Sequence, residues 1–277
     1  MANNGFNKIN EALKKAAEEK EKSLGKESAA PLITPPPTES AVPAYEAPIP
    51  ERIMSAGVDH KIVAYFNPKD PIVEQFRSLR THIYSSEATG SLKTIIITSS
   101  QSREGKTLVA INLSIVMAQD LEKPILLIDC NLRKPCVDIY LGLKSDKGLS
   151  DVLSGSTGLN DALVSTDVKN LTVLPAGQIP MTPTELLGSQ KMKDLLAELK
   201  MKFDYIILDA PPIIPYADPR ILGPLVDGAV MVVRTGITRR EAITRAESIL
   251  KSVNCNILGY VLTGIEYHIP EYIHRHL

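Results

Sequence analysis

Gly105, Lys106 and Thr107 follow an apolar run (Thr94 to Ile97) and precede a second one that begins at Leu108. Such a tripeptide at a strand-to-helix turn makes a phosphate cradle. Backbone N–H groups at the helix start point at the anion, Lys106 reaches the outer phosphates, and the Thr107 hydroxyl can ligate Mg²⁺. From Ser100 to Thr107 the spacing fits G-x-x-x-x-G-K-[ST] except at the first position, where Ser100 replaces glycine. The nucleotide-contacting stretch is therefore Ser100, Gln101, Ser102, Arg103, Glu104, Gly105, Lys106, Thr107 and Leu108, with Arg103 bulky for a loop that must approach a nucleotide closely. A Gly-Lys-Thr at a helix start also arises by chance, and two carboxylates argue against chance here. Asp129 ends the apolar run ILLID, and Asp209 ends YIILD. The C-terminal ends of strands in an open α/β sheet face the ligand crevice. A carboxylate at Asp129 can orient metal-bound water or take a proton from an attacking hydroxyl. Asp209 has the placement of a Walker B aspartate, one carboxylate delivered to the metal by an apolar strand. Lys106, Asp129 and Asp209 are the catalytic candidates, and Thr107, Asp129 and Asp209 the Mg²⁺ candidates.

The elements that must position these groups alternate. Strands are expected at Thr94–Ile97, near Pro124–Asp129, and at Leu171–Leu174, Tyr205–Leu208, Ala229–Val233 and Ile257–Leu262. Helices are expected from Leu108 to Ala118, over Gly148–Leu153 and Leu159–Leu163, in one piece from Glu185 to about Lys200, and from Arg239 to Lys251. This alternation predicts an α/β fold with a doubly wound, mostly parallel sheet of the P-loop NTPase type. Ahead of it, Ile72 to Tyr84 reads as a helix with Ile72, Phe76, Leu79 and Ile83 on one face and Glu74, Arg77 and Arg80 on another. By spacing alone that charged face is an ordinary solvated one with an internal Glu–Arg pair.

Residues 1–25 hold a short amphipathic helix carrying Phe6, Ile9 and Leu13, and residues 26–59 a Pro-rich linker too poor in apolar side chains to form a core. The nucleotide-binding domain is expected over 60–264, and 265–277 is a tail bearing Tyr267 and Tyr272. Of 277 residues 44% are hydrophobic, enough for a sizeable core, and the formal net charge of −1 leaves no nucleic-acid footprint. No apolar run reaches the roughly 18 residues of a membrane-spanning helix, and no signal peptide opens the chain. Three cysteines without a Cys-x-x-Cys pair suit a reduced cytoplasm.

From about residue 60 onward the chain resembles the bacterial tyrosine kinases of polysaccharide synthesis and export. The matching phrases run in order: EQFRSLR, the Walker A at Ser100–Thr107, ILLIDCNLR, ILDAPP and VVRTGITRRE. The N-terminal KINEALKKA resembles that of the soluble autokinases of exopolysaccharide loci. The resemblance implies an ATP- and Mg²⁺-dependent autokinase in which Lys106 and Thr107 hold phosphates and metal, Asp209 assists the metal and Asp129 is the base. It implies phosphorylation of Tyr267 or Tyr272 in trans. It also places Glu74, Arg77 and Arg80 on the E-x-x-R-x-x-R motif of ring assembly, which revises the solvated-face reading above. It implies a membrane chain-length or export protein as partner, and recruitment of a cytoplasmic protein to the inner face of the membrane through it.

Three departures stand out. The second motif, usually D-x-D-x-R, has Asn131 at its second acid, which keeps an oxygen acceptor and loses the charge. Arg103 stands where many such kinases have glycine. The tail offers two tyrosines rather than a run of them. Asn131 and the sparse tail favour an alternative, an ATP-binding regulator or scaffold that phosphorylates little. A partitioning-type ATPase shares fold and motifs, but its usual extra lysine is absent from Gln101–Arg103.

Overall fold

The computed structural model describes residues 57–86 and 92–265, all within the compact unit that begins at Tyr45. The N-terminal helix expected over 1–25, nearly all of the linker, and the tail from residue 266 with Tyr267 and Tyr272 lie outside the described residues.

Seven strands form one sheet: β1 Thr94–Ser99, β2 Ile125–Asp129, β3 Val164–Ser165, β4 Leu171–Leu174, β5 Tyr205–Asp209, β6 Gly228–Arg234 and β7 Ile257–Thr263, in the order β3-β4-β2-β5-β1-β6-β7. All neighbours run parallel except β3, a two-residue antiparallel edge on β4 that the sequence did not announce. Every residue of β1, β2 and β5 is buried, which explains their unbroken apolar runs: a parallel strand covered on both faces has no polar side to show.

Helices cover both faces. On one lie α1 Val63–Phe66, α2 Pro71–Ser86 and α3 Lys106–Leu121, and α4 Val137–Leu141 follows β2. Past these come α5 Leu149–Ser154, α6 Leu159–Ala162, α7 Pro183–Leu187, α8 Gln190–Lys202, α9 Asp218–Leu222 and α10 Arg240–Ser252. All six supply buried side chains to the core on the opposite face. The single helix expected from Glu185 to Lys200 is two. Gly188 ends α7, and Ser189 starts α8 by accepting from the Met192 N–H with its hydroxyl (3.3 Å), a cap that favours a new start over continuation.

The helix that leaves the Gly-Lys-Thr turn is buried along nearly its whole length because α1 and α2 pack over it. Asn112, 2% exposed, ties α1 down: its Oδ1 accepts from the Ala64 N–H (3.0 Å) and its Nδ2 donates to the Lys61 and Leu108 carbonyls. Near the far end of α3, Asp120 accepts from Arg77 Nε (3.1 Å) and from Arg80 Nη1, and Arg77 also pairs with Glu74 along α2. The internal Glu–Arg pair read from the spacing is therefore present, and Asp120 is a second partner that the spacing did not show. Among the described residues no helix is long and apolar enough to cross a membrane.

Candidate nucleotide site

The C-terminal ends of β1, β2 and β5 meet at one edge of the sheet, with Asp129 and Asp209 paired in register on adjacent strands. The loop after β1 reaches α3 through Arg103 at φ 67° and Gly105 at φ 93°. Both lie in the left-handed region that glycine enters without strain, so the arginine stands at a glycine-favouring position. A Cβ on Gly105 would meet Thr263 Cγ2 in ordinary contact at 3.4 Å, so the backbone angle rather than space is what calls for glycine there. No side chain caps α3, whose first-turn N–H groups are left for an anion.

Glu104 braces the loop from inside. Its carboxylate, 2% exposed, accepts from Ser100 Oγ (2.9 Å), the Gln101 N–H (2.8 Å) and Thr238 Oγ1, while its carbonyl accepts from Thr263 Oγ1 (2.7 Å). Sequence reasoning placed Glu104 among the nucleotide contacts and missed this bracing role, for which a lone glutamate in the loop gives no signal.

A cavity of about 660 Å³ opens over the loop. Ser102, Arg103, Glu104, Gly105, Lys106, Thr107 and Leu108 line it; Ser100 and Gln101 do not. Its walls carry six cationic side chains, Lys61, Arg103, Lys106, Arg133, Lys134 and Arg234, which suits a polyanion. Arg133 is fixed by the buried Asp218 (Nε–Oδ2 2.7 Å) and by Thr184, and stacks at 4.8 Å on Tyr216. Lys61, Tyr216 and Thr263 had no sequence signal, because their motif-free segments reach the wall only through the fold.

Asp129 and Asp209 lie behind this wall, both fully buried. Asp129 accepts three main-chain N–H bonds, from Asn131 (2.9 Å), Cys136 (3.0 Å) and Val137 (3.1 Å), and two of those donors, Asn131 and Cys136, line the cavity. Burial, then repulsion from Asp209, pushes its carboxyl above the ordinary range despite those bonds. Asp209 is also pushed up by burial, with Lys106 and Thr107 drawing it back. Thr107 Oγ1 donates to Asp209 Oδ2 (2.7 Å), and Asp209 Oδ1 is buried with no hydrogen-bond partner among the described residues. An orphaned carboxylate oxygen beside a hydroxyl is a donor set that fits a hard divalent cation such as Mg²⁺.

Asn131 is fitted as an amide. Its Nδ2 donates to the Lys134 carbonyl (2.8 Å), a bond that a carboxylate cannot make. Asn131→Asp is therefore expected to destabilise the metal-free protein by about 1–2 kcal/mol, and to tighten Mg²⁺ binding by restoring a charge at the cavity wall. Calorimetric melts in EDTA and in Mg²⁺ read both effects, and an unchanged EDTA melting temperature would contradict the first.

A phosphate loop between a buried parallel strand and a helix, with two strand-end carboxylates beside it, defines a P-loop nucleotide-binding protein. Residues 92–222 match the AAA domain family. The tyrosine-protein kinase YwqD of Bacillus subtilis (strain 168) is 37% identical over 207 residues, 75% of this chain and 87% of that protein. The tyrosine-protein kinase wzc of Salmonella typhi is 32% identical over 74% of this chain, which spans 28% of that longer protein. Among solved structures, the kinase domain of the Escherichia coli tyrosine kinase ETK superposes with a TM-score of 0.72 at 29% identity, over 76% of this chain and 82% of that one. The chain belongs to the bacterial tyrosine-protein kinase family.

Proposed function

We propose that this protein is an ATP-dependent tyrosine autokinase that transfers the γ-phosphoryl group to Tyr267 or Tyr272 of a neighbouring copy and so regulates polysaccharide synthesis and export. The observation that carries the reading is the orphaned Asp209 Oδ1 beside Thr107 and Lys106, under a cation-lined cavity in a chain of this family. Lys106 and the first-turn N–H groups of α3 hold the phosphates in place and stabilise the charge that shifts during transfer. Thr107 and Asp209 would hold Mg²⁺, which when bound neutralises phosphate charge. Asp129 takes the proton of the acceptor hydroxyl; its raised proton affinity suits a base, and the acceptor approaches it past Asn131 and Cys136.

Phosphosite mass spectrometry of the full chain incubated with ATP and Mg²⁺ tests this, with phosphate expected on Tyr267 or Tyr272. The Asn131 amide favours the second reading, a binding regulator or scaffold: no phosphotyrosine in the native protein, but signal after Asn131→Asp, would establish it instead.

The Glu74, Arg77 and Arg80 face is the proposed ring contact, and a membrane chain-length or export protein the proposed partner, which would bring a cytoplasmic protein to the inner face of the membrane. Arg77→Ala with Arg80→Ala is expected to give monomers in light scattering and to slow tail phosphorylation about tenfold, since acceptor and site then meet only by diffusion. Assemblies of unchanged mass would remove these residues from the interface.

A further inference from the structure

The sheet order divides the cavity wall. Residues after β2 lie on one side of the phosphate loop, and the ends of β6 and β7, with Arg234, Thr263 and Gly264, lie on the other. Lys61 belongs to the β2 side, because the Asp59 N–H donates to the Tyr140 carbonyl (2.9 Å) and Tyr140 lines the same wall. On that side Arg133 is already committed to Asp218 and Thr184. Lys61 and Lys134 are not committed: both are exposed, and among the described residues neither amino group has a hydrogen bond or an ion pair. Asp129 sits behind Asn131 and Cys136 on this same side, where an acceptor hydroxyl must arrive.

The tail supplies the complement. Its only two carboxylate side chains past Ile265 are Glu266 and Glu271, and each immediately precedes a tyrosine, in Glu266-Tyr267 and Glu271-Tyr272. We infer that Lys61 and Lys134 select the acceptor, so that the site takes a tyrosine preceded by an acidic residue, presented by the tail of a second copy of this chain. The inference rests on the kinase reading above. A lysine at the rim, on a flexible four-carbon stem, meets the carboxylate next to the inserted tyrosine without having to enter the phosphate pocket. Such rim charges steer and discriminate more than they anchor.

The test uses the full chain with Tyr267→Phe and Tyr272→Phe as the kinase. Its acceptors are the peptide IEYHIPEYIHRHL and the same peptide with lysine at both glutamate positions. Initial rates of phosphotyrosine formation are measured beside fluorescence-anisotropy binding of each peptide in ADP and Mg²⁺. The acidic peptide should show a KM about tenfold lower, a preference that levels out in about 0.5 M salt. Lys61→Glu with Lys134→Glu should reverse the order. Equal treatment of the two peptides, or a preference that survives the double variant, overturns the inference. Absent transfer with a binding preference that the double variant reverses defeats the kinase reading and leaves the selectivity standing. Absent transfer with equal binding defeats both.

Discussion

Lys106→Ala is expected to lower phosphotyrosine formation at the proposed acceptors Tyr267 and Tyr272 by about 10²–10³-fold while leaving the fold intact. Lys106 is the first residue of α3, its side chain lines the cavity, and it is absent from both hydrophobic cores, so removing it creates no core void. What is lost is a preorganised positive charge at the point where phosphate charge shifts. A second effect separates this account from simple loss of binding. Lys106 draws the Asp209 carboxyl down against its burial, so without the lysine Asp209 holds its proton to higher pH. If ionised Asp209 is required, the residual activity of the variant moves toward alkaline pH. Phosphosite mass spectrometry across a pH series reads both effects, with circular dichroism checking the fold. A variant with more than about a tenth of the native rate would remove Lys106 from the chemistry.

Asp209→Asn is expected to stabilise the metal-free protein and to abolish transfer. Both Asp129 and Asp209 have folded-state values above the ordinary 3.8. Above that value the unfolded chain releases these protons while the native state retains them, so stability falls as pH rises until the folded values are passed. An amide at 209 still accepts the Thr107 hydroxyl and carries no charge to repel Asp129. At pH 8 without Mg²⁺ the variant should gain about 1–2 kcal/mol, or about 2–6 °C in melting temperature. The gain should vanish near pH 4, where the native protein holds both protons, and should shrink when the native protein is saturated with Mg²⁺ and ATP. Melts at the two pH values, with and without Mg²⁺ and ATP, decide it. A variant less stable at pH 8 than the native protein would mean that the carboxylates are not in conflict.

The sheet and the phosphate loop were legible because their causes are local. Strands buried on both faces spell themselves as ILLI or YIIL, and Gly105-Lys106-Thr107 is a contiguous word. The break at Gly188-Ser189 was less so, since a Leu-rich pattern continues across it and only the Ser189 hydroxyl decides for a new start. The rest of the site was not legible, because its causes are distant in the chain. Glu104 finds Thr238, Arg133 finds Asp218, and the Lys61 segment is held at the wall by Asn112, 51 residues on, and by Tyr140. Asn131 looked in the sequence like a lost charge. In the structure it is a donor with an assigned acceptor, and spacing carries no trace of that.

The double grip of Asp120 on Arg77 and Arg80 changes what self-association through α2 would mean. An isolated subunit does not offer two bare cations to its neighbour; it offers two that Asp120 and Glu74 together already neutralise. Joining a ring is then an exchange of partners, with Asp120 released as the neighbour's acids take over. Added salt screens the bond given up as well as the bond gained, so the equilibrium should depend on ionic strength far less than a count of interface charges suggests. The released Asp120 stands near the end of the helix whose other end is Lys106. A subunit entering such a ring would acquire an unpaired carboxylate one helix length from Lys106, with the α3 helix joining the assembly face to the phosphate loop.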